Sequence, residues 1–169
     1  MQRESYDKVF SNAAMHWILR HEETRGDFFR GVGTVLKKGG VFVFEMGGMG
    51  NVAEAPKFYP FTRMSLAQAR AADPWFFPDE VWMTRMLEQT VGGFKVEKIE
   101  REYRPTAADA GGIQGWVRLM GKQFFDAVPG SEREECIKEA VEVLEGVCES
   151  PGGGSWIGYV RLRAVVRKV

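Results

Sequence analysis

The chain has two histidines, and one of them, His16, is followed directly by Trp17. A histidine so placed could act as a base, with the indole lining a substrate pocket. The plainer alternative is a core tryptophan beside a hydrogen-bonded imidazole, because the sequence offers no identifiable partner carboxylate. His21 reads as an exposed residue at a helix start. Asp73-Pro74-Trp75-Phe76-Phe77-Pro78 is extended and aromatic, able to cap an apolar pocket or simply to pack. Arg161 and Arg163 alternate on one face of the last strand, where Glu97, Glu100 and Glu102 of a neighbouring strand could pair with them. Glu45 ends one strand and Ser11-Asn12-Ala13 ends another. Open α/β sheets bind ligands at the carboxyl ends of their strands, although an Asn there is equally an ordinary turn former. No residue is assigned as catalytic, and no CxxC or HxxxH spacing suggests a metal site.

The elements that position these residues follow from periodicity and punctuation. Residues 6–12 read as a short strand, and 13–19 as a loop or one helical turn. Residues 22–37 carry Phe28, Phe29, Val32, Val35 and Leu36 at helical spacing, with Gly39-Gly40 as the stop. Val41-Phe42-Val43-Phe44 reads as a buried strand of a parallel sheet, after which Gly47, Gly48 and Gly50 loosen the chain. A short helix is expected over 65–72, then a helix over 80–91 capped by Asp79 and stopped by Gly92-Gly93. Residues 94–103 form a strand and 113–127 a helix. Ser131 and Glu134 match a capping box ahead of a helix that runs to about Cys148. The last strand spans about 157–169, with Val160, Leu162, Ala164 and Val166 alternating with Arg161, Arg163 and Arg167.

Composition sets the class. The 169 residues suggest one domain, with 44% apolar residues and 27% charged, as in ordinary globular proteins. Lys plus Arg number 23 and Asp plus Glu number 23. The balance gives no global pull toward nucleic acid or an anionic membrane. Cys136 and Cys148 fall in one helix, roughly 18 Å apart along its axis, too far for a disulfide. They read as buried hydrophobes of a reducing compartment. With no apolar run of signal-peptide or membrane-spanning length, a cytoplasmic protein is expected.

Tyr6-Asp7-Lys8-Val9-Phe10-Ser11-Asn12-Ala13-Ala14-Met15-His16-Trp17 resembles the fourth-strand motif of class I S-adenosylmethionine-dependent methyltransferases. The similarity is greatest to the trans-aconitate methyltransferase branch, which acts on small carboxylic acids. Leu36 through Met46 is similar to that family's helix end and fifth strand. Pro74-Trp75-Phe76-Phe77-Pro78 and Gly93-Phe94-Lys95-Val96 match the next unit. Gly115-Trp116 and Tyr159-Val160-Arg161-Leu162-Arg163 look like the helical insertion and final strand.

The resemblance implies an α/β fold, a partial Rossmann-like methyltransferase sheet made of strands four to seven of seven, with a helical insertion. It implies one truncated methyltransferase-like domain over 1–169, with its strands in the spatial order fourth, fifth, seventh, sixth. Ser11, Asn12 and Ala13 would be the remnant of the cofactor site, near the methionine part of S-adenosylmethionine. His16, Trp17, Trp75 and Arg161 would face the substrate, the arginine as a bidentate carboxylate clamp. The family's Gly-x-Gly turn and ribose-binding acid have no counterpart here, and Gly47-Gly48-Met49-Gly50 is no substitute. The resemblance therefore implies that this chain alone does not bind the cofactor. It also implies that the N-terminal strand is an open apolar edge that pairs in a homodimer. Two functions follow as expectations: a non-catalytic dimeric binding module, or an O-methyltransferase of a small carboxylic acid whose cofactor site another chain completes.

Overall fold

The computed structural model describes residues 3–53 and 63–169. In chain order the elements are β1 (Tyr6–Asn12), α1 (Met15–Ile18), α2 (Arg25–Val35), β2 (Leu36–Gly47), α3 (Leu66–Ala72), α4 (Glu80–Arg85), β3 (Phe94–Ala107), α5 (Gly112–Met120), α6 (Lys122–Asp126), α7 (Gly130–Cys148) and β4 (Trp156–Lys168). A 3-10 turn at Glu22–Thr24 precedes α2, and a π-helical turn at Met86–Val91 continues α4. The chain divides into two compact units. One is Met1–Asn51 with Trp75–Tyr103 and Val160–Val169, and the other is Val52–Pro74 with Arg104–Tyr159.

The four strands form one sheet in the order β1-β2-β4-β3, the order expected for strands four, five, seven and six. β1 runs parallel to β2, and β4 antiparallel to it. Alternation decides what each face does. Phe42, Phe44 and Met46 of β2 lie beside Val166, Ala164 and Leu162 of β4, and all six are buried. Phe29 and Val32 of α2, Met83 of α4 and Leu87 pack into the same core. Burial of each large side chain is worth about 1.5–3 kcal/mol, so this face fixes the register.

The opposite face is different from the expected doubly buried strand. Val41 and Val43 are only half-buried, and the same face carries Glu45 against Arg163 and Arg167 against Glu97.

Other boundaries differ for local reasons. Helix α2 stops at Val35, and Gly39-Gly40 lie inside β2. Between the pairs Tyr6–Leu36 and Lys8–Val41, β2 spends five residues where β1 spends two. Gly39 takes φ +76° there, and a Cβ on Gly40 would lie 2.8 Å from the Lys37 carbonyl, so the glycines build a bulge.

In the second unit, Ile113, Val117, Phe124, Phe125, Ile137, Ala140 and Leu144 are among the buried residues, as are the free cysteines Cys136 and Cys148. The expected helix over 113–127 breaks at Gly121 into α5 and α6. The expected capping box at Ser131 and Glu134 does not form. Helix α7 begins at Gly130 behind Pro129 with no side-chain cap, and Glu134 instead pairs with Arg118 at 2.6 Å. A capping box does form at Ser65 and Gln68, ahead of α3.

Candidate functional site

The carboxyl ends of β1 and β2 lie side by side, with Ser11 opposite Phe44 and Asn12 opposite Glu45. The Ala13 amide extends the ladder by donating to the Glu45 carbonyl at 2.9 Å. Ala13 then turns the chain with φ +52°, a left-handed conformation that costs an L-residue roughly 1–2 kcal/mol. That turn feeds α1 at once, and α1 brings His16 over the end of β2.

Four rings close into a cycle there. His16 lies 5.6 Å from Trp17 and 5.7 Å from Phe77, Trp17 meets Trp75 edge-on at 5.6 Å, and Trp75 stacks on Phe77 at 5.8 Å. These are ordinary aromatic packing distances, and they leave no room for a ligand inside the cycle. The rings form a wall, with His16 buried and Trp17 38% exposed. Arg25 pins the next ring, its guanidinium 3.5 Å above Phe76 while its Nε donates to the Leu19 carbonyl at 2.7 Å.

The glycine segment after β2 is locked, contrary to the expectation that it loosens the chain. The Gly47 amide donates to His16 Nδ1 at 3.3 Å. Gly48 donates to the Val160 carbonyl, Met49 to the Pro78 carbonyl, and Asn51 to the Gly48 carbonyl, at 3.0, 2.9 and 2.9 Å. Asn51 is buried, and its Oδ1 accepts from the Val160 amide at 2.9 Å. A Cβ on Gly47 would lie 2.5 Å from the Phe77 ring and 2.9 Å from Asn51 Nδ2. The glycine is there because a ring occupies its side-chain space. Gly47 and Asn51 are the positioning residues that the sequence reading missed. The usable signal was a polar Asn closing a glycine run next to a buried strand end.

Arg161 stands opposite Gly47 on β4. Its Nε lies 3.9 Å from Glu45 Oε1, and Glu45 gives its other oxygen to Arg163 Nε at 2.6 Å. Arg163 also reaches Glu102. Its hydrogen bonds to Glu45 and Glu102 raise its pKa further, so it is committed to structure. Burial, with the nearby Arg161 charge adding to it, pushes the His16 pKa down to about 4. The imidazole is therefore neutral at physiological pH. Of the expected site residues, His16, Trp17, Trp75 and Arg161 come together, at the end of the sheet where Ser11, Asn12 and Ala13 turn. Among the described residues no group of three or more His, Cys, Asp or Glu could hold a metal, and no helix is long and apolar enough to cross a membrane.

Comparison with known proteins bears on this arrangement. The chain is 38% identical over 170 residues to an uncharacterized methyltransferase of Schizosaccharomyces pombe, an alignment covering 98% of this chain and 64% of that one. Nearly the whole chain is thus similar to a protein described as a methyltransferase. The solved structures agree at the level of fold. A candidate methyltransferase of Bacillus halodurans superposes with a TM-score of 0.58 at 17% identity, over 99% of this chain and 72% of its own. Loganic acid methyltransferase with S-adenosylhomocysteine superposes at 0.60 and 12% identity, over 99% and 63%. No protein-family model matches. The chain spans 64% of the length of the curated relative it matches.

The amides of Gly47, Gly48, Met49 and Asn51 are all engaged inside the loop and with its neighbours, and so are not available to cradle a ligand.

Proposed function

We propose that this chain supplies the acceptor side of an S-adenosylmethionine-dependent O-methyltransferase of a small carboxylic acid, with the donor site completed by another chain. The observation that carries the reading is the cluster of His16, Trp17, Trp75 and Arg161 at the carboxyl ends of β1 and β2. An aromatic wall with one cation beside it suits a small acid, since the guanidinium meets the carboxylate and the rings exclude water. A carboxylate is ionised at neutral pH, so its oxygen attacks a methyl group without a general base. Such a transfer asks mainly for positioning. The S. pombe relative's description as a methyltransferase supports the chemistry.

The test is calorimetric titration of trans-aconitate into the purified chain. Saturable binding that weakens at least about tenfold in Arg161→Ala, and is partly restored in Arg161→Lys, is expected. Equal affinity in parent and Arg161→Ala would refute the reading.

A second reading, a non-catalytic dimeric module, is favoured by the outer side of β1. Tyr6 and Phe10 stand 57% and 69% exposed on the edge strand. Such an edge invites pairing with a second copy.

A further inference from the structure

His16 has a chemistry more specific than that of an active-site histidine in general. Its Nδ1 is the acceptor for the Gly47 amide at 3.3 Å, a bond buried under the aromatic wall. A nitrogen that accepts from a backbone amide carries no proton itself. The ring's one hydrogen is therefore on Nε2. The tautomer is held from several directions. The His16 carbonyl accepts from the Phe76 amide at 2.9 Å, Trp17 and Phe77 flank the ring, and Gly47 is fixed by the Phe77 ring in its missing side-chain space. The charged group acting on the ring is Arg161 from β4, which itself lies 3.9 Å from Glu45 of β2. Burial and the Arg161 charge both withhold a second proton from the ring, and the Glu45 carboxylate is engaged with Arg161 and Arg163 rather than with the ring. A ring in this state offers a donor and no base.

We infer that His16 is a specificity-determining residue that donates its Nε2 hydrogen to the anionic acceptor, next to the Arg161 guanidinium, while Gly47 holds the tautomer. This rests on the proposed function. It restricts the acceptor further: a site built of two donors and no base binds a group that is already ionised. A neutral hydroxyl or an ammonium, each of which must lose a proton before it can be methylated, gains nothing there.

The two ring nitrogens can be tested apart, because Asn mimics Nδ1 and Gln mimics Nε2. Three measurements are made on the purified chain: imidazole nitrogen shifts of His16 from about pH 5 to 8, thermal midpoints of the parent, His16→Asn and His16→Gln, and calorimetric titration of each with trans-aconitate and with its trimethyl ester.

The inference expects a bare Nδ1 and a protonated Nε2 throughout the range. It expects His16→Asn to melt near the parent yet bind trans-aconitate about tenfold more weakly, the loss of one donor to a charged group. It expects His16→Gln to melt lower yet bind closer to the parent, and the ester to bind none of them. A protonated Nδ1, a ring that titrates near neutrality, or an His16→Asn variant that binds like the parent would overturn it. Failure of the functional reading looks different: the parent then binds no trans-aconitate, while the ring still shows a bare Nδ1.

Discussion

His16 is the most informative single residue. Its proton affinity is depressed in the folded chain, from an ordinary value of 6.5 to about 4, so the unfolded chain binds more protons between those two values. Folding stability then falls as pH drops through that window, by up to about 3 kcal/mol, and is unaffected by this group above it. Thermal melts of the parent and His16→Asn across pH 4 to 7 should show that slope in the parent and a flatter line in the variant. Ala13 offers a complementary test. Its φ of +52° suits glycine, so Ala13→Gly should raise stability by up to about 1 kcal/mol, read from chemical denaturation. Loss of stability there would mean that the Ala13 methyl packs more than the turn strains.

The loop from Gly47 to Asn51 carries the argument at the scale of elements. It joins the end of β2 to β4 through the bonds of Gly48 and Asn51 with Val160, and to the aromatic segment through Met49 and Pro78. A methyl at Gly47 must displace the Phe77 ring, so Gly47→Ala should cost about 1–3 kcal/mol and disturb the His16 nitrogen shifts. Asn51→Ala leaves the half-buried Val160 amide without this partner and should cost about 1–2 kcal/mol. Both are measurable by denaturant titration.

None of this rigidity could be read from Gly47-Gly48-Met49-Gly50, since a glycine run is locally permissive and the groups that immobilise it lie tens of residues away. Strand order was legible for a different reason. It came from resemblance: the motif from Tyr6 to Trp17 and the segments after it match, in order, a family whose topology implies the spatial order fourth, fifth, seventh, sixth, and the sheet has that order. Pairing of Arg161 and Arg163 with Glu97, Glu100 and Glu102 was expected from strand alternation; Arg163 does meet Glu102, but Glu97 goes to Arg167 and Glu100 to Lys98, while Arg161 lies nearest Glu45. The capping box was misread at Ser131 because Pro129 and Gly130 had already started the helix, leaving Glu134 to Arg118.

For the whole molecule, one face of the sheet is a closed apolar core and the other a ladder of ion pairs beside half-buried valines. β1 forms the outer edge on one side. If two copies meet along that edge, light scattering at micromolar concentration should give twice the mass of 19.1 kDa, and Phe10→Lys should return the protein to a monomer by placing a charge in the seam. A monomeric parent removes the dimeric reading without touching the acceptor site. The acceptor site is the central claim, and titration of trans-aconitate into the parent and Arg161→Ala tests it most directly. Saturable binding in the parent that drops about tenfold or more without Arg161 is the predicted result. A folded parent that takes up no trans-aconitate at about millimolar concentration, about −4 kcal/mol of binding, would contradict it.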